Sequence, residues 1–454
     1  MEIAIALALA FTTLLAAVYR GVFILWPLLF TLGIMSAVYW RRGISSSDLW
    51  QQMRAGVRQS AGVLSILLLI GAVVASWLAA GTVPTLVYYG LQWLHPQYFL
   101  VSAFSLTALV STLLGTSFGS AGTIGLALMI MARGAGVSEG WTAGAVIAGA
   151  YVGDRCSPMS SSAHLVAAVT NTSVPRNLRL MLRTSWVPLL GSAAIYTWAS
   201  RLHPLTVVDD ALLNAIPNTF VVQPLMLLPA VLLVVLTLLQ WPVLRTLWIS
   251  LGSAIALALT LQSQPFNQVI ATLLWGIRLP PENDLNLIFQ GGGLWPMARV
   301  CSVVLVSTAL AGLLSGQGTF RHVGQLLSRW SSPRGRFGST ILASLLTSAF
   351  GCTQTIAILL TQQIMQPQYI ATQAEPDTLA IDIENSAVVI APLVPWNIAG
   401  LVPATVILAD ASFIPYAVYL YLLPLWHWLW GTRQGRSRPV SSAHQAVDIA
   451  TPQP

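Results

Sequence analysis

The chain has 454 residues, of which 56% are hydrophobic and only 8% charged, with a mean hydropathy of +0.73. Soluble domains carry roughly 25% charged residues, so this composition excludes a large water-covered globule and requires lipid to solvate much of the surface. The net charge is +7 and all 21 basic residues are Arg; in so apolar a chain that charge belongs to short cytoplasmic loops rather than to a nucleic-acid-binding surface.

Continuous apolar runs at 3–19, 22–40, 62–80, 99–114, 222–239 and 412–430 each approach the ~20 residues a helix needs to cross a bilayer. They do not alternate apolar and polar positions as barrel strands do. The fold class expected is an all-α polytopic membrane protein of about 11 or 12 transmembrane segments. The run at 3–19 has no basic n-region before it and no obvious small-residue cleavage site, and reads as a retained helix rather than a signal peptide. Arg20 and Gly21 make a turn into the second run, and 41–60, with Arg41, Arg42, Arg54 and Arg58, reads as a cytoplasmic loop. A crossing at 62–82 then leads outward, 83–97 is an outer loop without Arg, and 98–114 returns inward.

From 115 to 174 Gly, Ser and Thr become dense inside apolar sequence. Arg176, Arg179 and Arg183 mark another cytoplasmic loop, and a crossing at 184–200 leads to an outer loop with Asp209 and Asp210. Helices are expected at 222–240 and 243–262, whereas 263–296 is Pro/Gly-rich and receives no topology. A crossing at 298–316 runs inward to a loop with Arg321, Arg329, Arg334 and Arg336; 339–350 starts outward before Gly351 interrupts it. The segments group as an N-terminal pair and loop (1–60), a first transport repeat (61–200), linking helices (201–296), a second repeat (297–430) and a disordered cytoplasmic tail (431–454). The Arg distribution puts both termini in the cytoplasm of a multi-pass protein of the cell inner membrane.

The halves share a layout: a crossing, a Gly/Thr break, then an acid-bearing, Pro-containing segment. The crossing before the first break runs inward and that before the second runs outward. Such inverted repeats place substrate at the membrane midplane on interrupted helices.

Four segments carry the candidate chemistry. The first, GTSFGSAGT at 115–123, puts Thr116, Ser117, Ser120 and Thr123 among glycines. Small residues there serve close helix packing, but hydroxyls with unwound carbonyls also suit a hard cation such as Na⁺. The second contains Asp154, Ser157 and Pro158. An ionisable residue at membrane depth is a functional candidate, against which stands a plain ion pair of Asp154 with Arg155 or Arg133. Pro158 lacks an N–H and frees a carbonyl. The third, at 351–355, brings Gly351 and Thr353. The fourth has Asp382, Glu384 and Asn385 ahead of Pro392 and Pro395; a buried Glu384 could load and release a proton, while an N-cap role competes for both acids. Gly115, Gly119, Pro158, Gly351, Pro392 and Pro395 are the expected helix-break residues. His164 reads as packing, Asp410 as a helix end, and the aromatic cluster at 416–430 as an interfacial belt. Cys156, Cys301 and Cys352 have neither disulfide nor metal spacing. No cofactor motif or catalytic set is present, so no enzyme is expected.

The stretches GTSFGSAGTIGLAL (115–128) and TAGAVIAGAYVGDRCSP (142–158), with a weaker second-half match ending in APLVPWN (391–397), resemble the NhaC-type sodium/proton antiporter family, which includes malate/lactate antiporters. The resemblance implies an exchanger in which Na⁺, H⁺ or a small organic solute shares one midplane site. Gly153, Asp154, Ser157 and Pro158 match the family's GDxxSP pattern. The family's second acid, paired threonines and Asn are replaced here by Ser161, Ser162, Ala163 and His164, and its Arg and Glu-Asp pair by Ile381, Glu384 and Asn385. The expected function is a secondary transporter, foremost a sodium/proton antiporter working by alternating access. Asp154, Thr116, Ser117 and Ser157 would hold Na⁺, and Glu384, with Asn385 beside it, would carry the proton. The alternative is a proton- or sodium-coupled transporter or exchanger of a small organic acid or amino acid.

Overall fold

The structure, a computed structural model, describes residues 2–204, 210–280, 283–317 and 332–431. Among these residues all regular structure is helical, and the one isolated bridge joins Ile277 to Gly291. Helices Ala61–Ala79, Val243–Thr260 and Leu294–Gly316, and the helical run Pro96–Leu114, are long and apolar enough to cross a bilayer. Two bent pairs, Leu213–Thr219 with Pro224–Leu238 (86°) and Pro376–Leu393 with Ile398–Val406 (55°), bring the number to six by length and composition. The expected count of about 11 or 12 would need, besides these, helices that are shorter or more polar, such as Glu2–Tyr19 and Leu25–Arg41. Helix Phe99–Leu114 coincides with its apolar run.

Several expected loops are helical. Within 41–60, Ser46–Gln59 is a helix capped by the Ser45 hydroxyl, which accepts the Asp48 N–H at 3.1 Å. It is amphipathic and lies on helix Leu294–Gly316, where a side chain on Gly56 would run into the Thr308 carbonyl and Gly312. The outer loop at 83–97 is largely helix Thr82–Trp93, entered through Gly81. Arg176, Arg179 and Arg183 lie on the exposed first turns of helix Val174–Leu202, which begins well before 184. In 263–296, helix Phe266–Trp275 leads through an irregular stretch to Gly291, Gly292 and Gly293, all at positive φ. Asp209, Arg321, Arg329 and the tail from 432 lie outside the described residues.

The centre of the molecule is the packing of helix Phe99–Leu114 on helix Glu139–Cys156. Gly149 and Gly153, one turn apart, let the backbones touch: a Cβ on Gly149 would meet the Phe104 carbonyl, and one on Gly153 the Ser111–Thr112 peptide. The Ser111 hydroxyl donates to the Ala150 carbonyl across the same seam. Small residues and a hydroxyl bond are the means by which helices associate where no hydrophobic gain is available. This seam fixes Asp154, the residue after Gly153.

Both halves break in the same way. Helix Phe99–Leu114 ends at Gly115 in the left-handed region (φ 69°), Thr116 is extended (φ −147°), and helix resumes at Ser117. Helix Pro333–Gly351 ends at Cys352, also left-handed (φ 55°), Thr353 is extended (φ −135°), and helix resumes at Gln354. Gly351 is therefore the last helical residue, and Cys352 makes the turn. Gly119 is not a break either; it lies within the turn Ser117–Ser120, ahead of a single π turn at Ala121–Gly125. Pro158 follows the end of helix Glu139–Cys156, and Pro392 and Pro395 sit where the last bent pair turns.

Candidate functional site

The two breaks face one another, and Asp154 lies between them. It occupies the last turn of helix Glu139–Cys156 and is 5% exposed. Its Oδ2 accepts a hydrogen bond from Gln354 Nε2 at 2.8 Å and a longer one from the Ser162 hydroxyl at 3.4 Å. The backbone amide of Ser117 faces the same carboxyl. One residue after each left-handed break is extended and the next begins a helix, so Ser117 and Gln354 present first-turn positions of opposing half-helices. Helix N-termini carry unpaired N–H groups and positive dipole ends, which favour an anion between them.

Asp154 lines a cavity of about 330 Å³ with Thr116, Ser117, Thr353 and Gln354. The rest of the lining is mostly apolar, with Thr237, Thr246 and Thr308 among it, and comes from helices Ala61–Ala79, Leu228–Leu238, Val243–Thr260 and Leu294–Gly316. Ser157, expected among the cation ligands, does not line it. Its Oγ accepts the Met159 N–H at 3.1 Å, because the chain turns there after the helix ends. The hydroxyls of Ser160 and Ser162 instead close on the Asp154 carbonyl, the latter at 2.6 Å.

The ion-pair reading of Asp154 does not hold. Arg133 pairs with Glu139 at 2.9 Å and with the Leu408 carbonyl at 2.5 Å. Arg155 is fully buried and points away from Asp154: its terminal nitrogens donate to Thr184 Oγ1 at 2.8 Å, to the Met181 carbonyl at 3.3 Å, and to Ser185 and Asn385 Oδ1. Asn385 belongs to the second half, so Arg155 ties the halves together behind Asp154.

Glu384 and Asp382 end helix Pro376–Glu384 rather than preceding one, so neither is an N-cap. Asp382 is held by the Tyr369 hydroxyl and by His427 Nε2 at 2.7 Å. Glu384 is fully buried, and neither carboxyl oxygen has a hydrogen-bond partner. The charges that reach it are those of Arg155 and Asp154. It does not line the cavity. His164 bonds the Ser160 carbonyl through Nδ1 at 2.7 Å, and Asp410 caps Ser412 at 2.9 Å.

The Na⁺/H⁺ antiporter family matches residues 149–427, more than half of the chain and the whole of the Asp154-to-Glu384 region. The chain belongs to that family. It is a multi-pass membrane transporter and not an enzyme. The malate-2H⁺/Na⁺-lactate antiporter of Bacillus subtilis is 28% identical over 420 residues, covering 91% of this chain and 88% of that protein. The Na⁺/H⁺ antiporter NhaC of Alkalihalophilus pseudofirmus is 28% identical over 409 residues, covering 88% of each. The arginine/ornithine antiporter ArcD of Halobacterium salinarum is 26% identical over 413 residues, covering 88% of this chain and 84% of that protein.

Gln354 and Arg155 are the residues that sequence reasoning passed over as site members. Gln354 stood in a flagged segment, and its place after Thr353, matching Ser117 after Thr116, was the available signal. Arg155 was weighed only as a partner of Asp154. A buried Arg in a chain with few charges is itself a signal, because such a group needs several acceptors.

Proposed function

We propose that this chain exchanges Na⁺ for H⁺ across the cell inner membrane by alternating access, with both termini in the cytoplasm. The observation that carries the reading is Asp154: a buried carboxyl at a cavity wall, reached by one residue from each helix break. Na⁺ is a hard cation that takes oxygen ligands, and Asp154, Thr116 and Ser117 offer a carboxyl, hydroxyls and extended backbone there. Family membership and the relatives named above support sodium and the proton as the exchanged ions.

Glu384 takes the proton in this mechanism. An ionised carboxyl without a partner at this depth is costly, and protonation removes the cost. Asp154 and Glu384 repel one another when both are ionised, so Na⁺ on Asp154 eases release of the proton from Glu384, and its departure favours reprotonation. Arg155 stays charged and in place, limiting how much negative charge the pair accumulates. The repeats, 61–200 and 297–430, rock about the Asp154–Gln354 contact and expose the cavity to each side in turn.

The test is proton movement in sealed vesicles holding the purified chain, with an imposed pH gradient. Saturable dissipation on adding Na⁺, absent with Asp154→Asn, is the expected result. A gradient that Na⁺, Li⁺ and K⁺ all leave intact, with the chain shown to be inserted, overturns the proposal.

A further inference from the structure

The cavity beside Asp154 is larger than a sodium ion needs. A water molecule occupies about 30 Å³ of liquid, so an ion and a few waters leave much of the roughly 330 Å³ unfilled. Small-molecule pockets begin at about 300 Å³ and are mostly apolar with a few placed polar groups. This one has that division. Asp154 and Gln354 supply a charged and an amide group, Ile70, Leu233, Leu247 and Val304 supply apolar surface, and Thr237, Thr246 and Thr308 add hydroxyls.

Charge then selects the occupant. Among the described lining residues Asp154 is the one with an ionisable side chain, and no Arg or His shares the wall. The nearby Arg155 does not line the cavity, and its terminal nitrogens are engaged by Thr184, Ser185, Asn385 and the Met181 carbonyl. An organic acid entering here in the absence of bound Na⁺ would bring its charge to Asp154 with no cationic side chain in the lining to receive it. An ammonium group would meet a carboxyl, and a short alkyl chain behind it would reach the apolar wall.

We infer that this cavity binds a small organic cation, with its ammonium on Asp154 and its apolar body against Ile70, Leu247 and Val304. The inference rests on the assignment of Asp154 as the cation site. The ligand competes with Na⁺ and belongs to the class of short primary alkylamines, protonated at neutral pH.

The experiment is calorimetric titration of the purified full chain in detergent with methyl-, propyl- and butylammonium chloride, and with sodium-free butyrate as the opposite charge. Saturable binding is expected, tightening by up to about fourfold for each added methylene, displaced by Na⁺, weakened at least tenfold by Asp154→Asn, and absent for butyrate. Leu247→Trp, which fills the apolar side, should weaken butylammonium more than methylammonium, and it tests the idea even if the Asp154 variant fails to fold. The inference is overturned if no alkylammonium saturates, if affinity ignores chain length, or if butyrate binds as well. Sodium-driven proton movement, measured separately in vesicles, distinguishes the two readings. Intact antiport without alkylammonium binding overturns this inference alone. Alkylammonium binding that Na⁺ displaces, without sodium-driven proton movement, keeps it and overturns the sodium/proton exchange.

Discussion

Gln354 Nε2 donates to Asp154 Oδ2 at 2.8 Å, so the first residue of the half-helix after the second break holds the acid of the first half. The same nitrogen reaches the Val388 carbonyl at 3.3 Å. One amide thus links the carboxyl of the first half to the backbone of the second. A hydrogen bond to a charged group is worth about 1.5–3 kcal/mol. Gln354→Ala should therefore weaken apparent Na⁺ affinity by at least about tenfold in sodium-driven proton movement. An unchanged sodium affinity in inserted protein would remove Gln354 from the site.

Asp154→Asn keeps the shape of the side chain and the bond from Gln354 in one amide orientation, but removes the charge. The seam of Gly149 and Gly153 is untouched, so the variant should insert and melt close to the parent chain. Transport should nevertheless be lost at every sodium concentration. Normal transport by this variant would show that the cation site lies elsewhere.

The sequence carried the fold where burial in lipid alone decides it, as at Phe99–Leu114 and Ala61–Ala79, because a spanning helix must be apolar along its length. It was less legible at Ser46–Gln59, whose polar face hides a packing face built around Gly56. The breaks were visible as Gly/Thr clusters, but the turning residue in the second half is Cys352, whose type gives no preference for the left-handed region. The site was legible as a set of segments. Its pairings were not, since Gln354 and Asp154, or Arg155 and Asn385, meet only after two halves of the chain are packed.

Glu384→Gln offers a separation of the two ions. The residue is fully buried and its oxygens are unpartnered, so a neutral amide fits the space. Without an exchangeable proton, sodium-driven proton movement should fall to background. Sodium-for-sodium exchange, followed with labelled Na⁺, should persist through Asp154. If both processes survive, Glu384 does not carry the proton; if both vanish in a folded chain, its role is not confined to coupling.

Arg155→Leu should be among the most damaging single changes. It leaves Asn385 Oδ1, Thr184 and Ser185 without their shared donor inside the protein. Thr184 and Ser185 keep bonds to the Met181 carbonyl and the Tyr419 hydroxyl, but Asn385 Oδ1 is left with only the 3.5 Å contact from Thr184. An under-satisfied buried acceptor costs about 1–3 kcal/mol, and the contact spans both halves, so thermal melting in detergent should drop. Arg155→Lys keeps the charge with fewer donors and a different geometry. It should recover part of the melting temperature and part of the transport. Equal stability of the Leu variant and the parent would show that the Arg155 bonds contribute nothing net.

The paired breaks make opposite predictions for one kind of substitution. Gly115 has φ 69°, and a Cβ there would press on the Met159 backbone. Gly115→Ala therefore meets both left-handed strain and a backbone collision, and should lower the melting temperature and cut transport. Cys352 sits in the same region at φ 55° but already carries a side chain, fully buried. Cys352→Gly relieves the strain of a non-glycine residue, about 1 kcal/mol, while removing a small buried thiol, so the two effects nearly offset. Cys352→Val, β-branched and bulkier, adds to the strain. The expected order of melting temperature is Gly and Cys together at position 352, Val below them, with transport following the same order. A Val variant as stable as the parent would show that the second break does not depend on the left-handed turn.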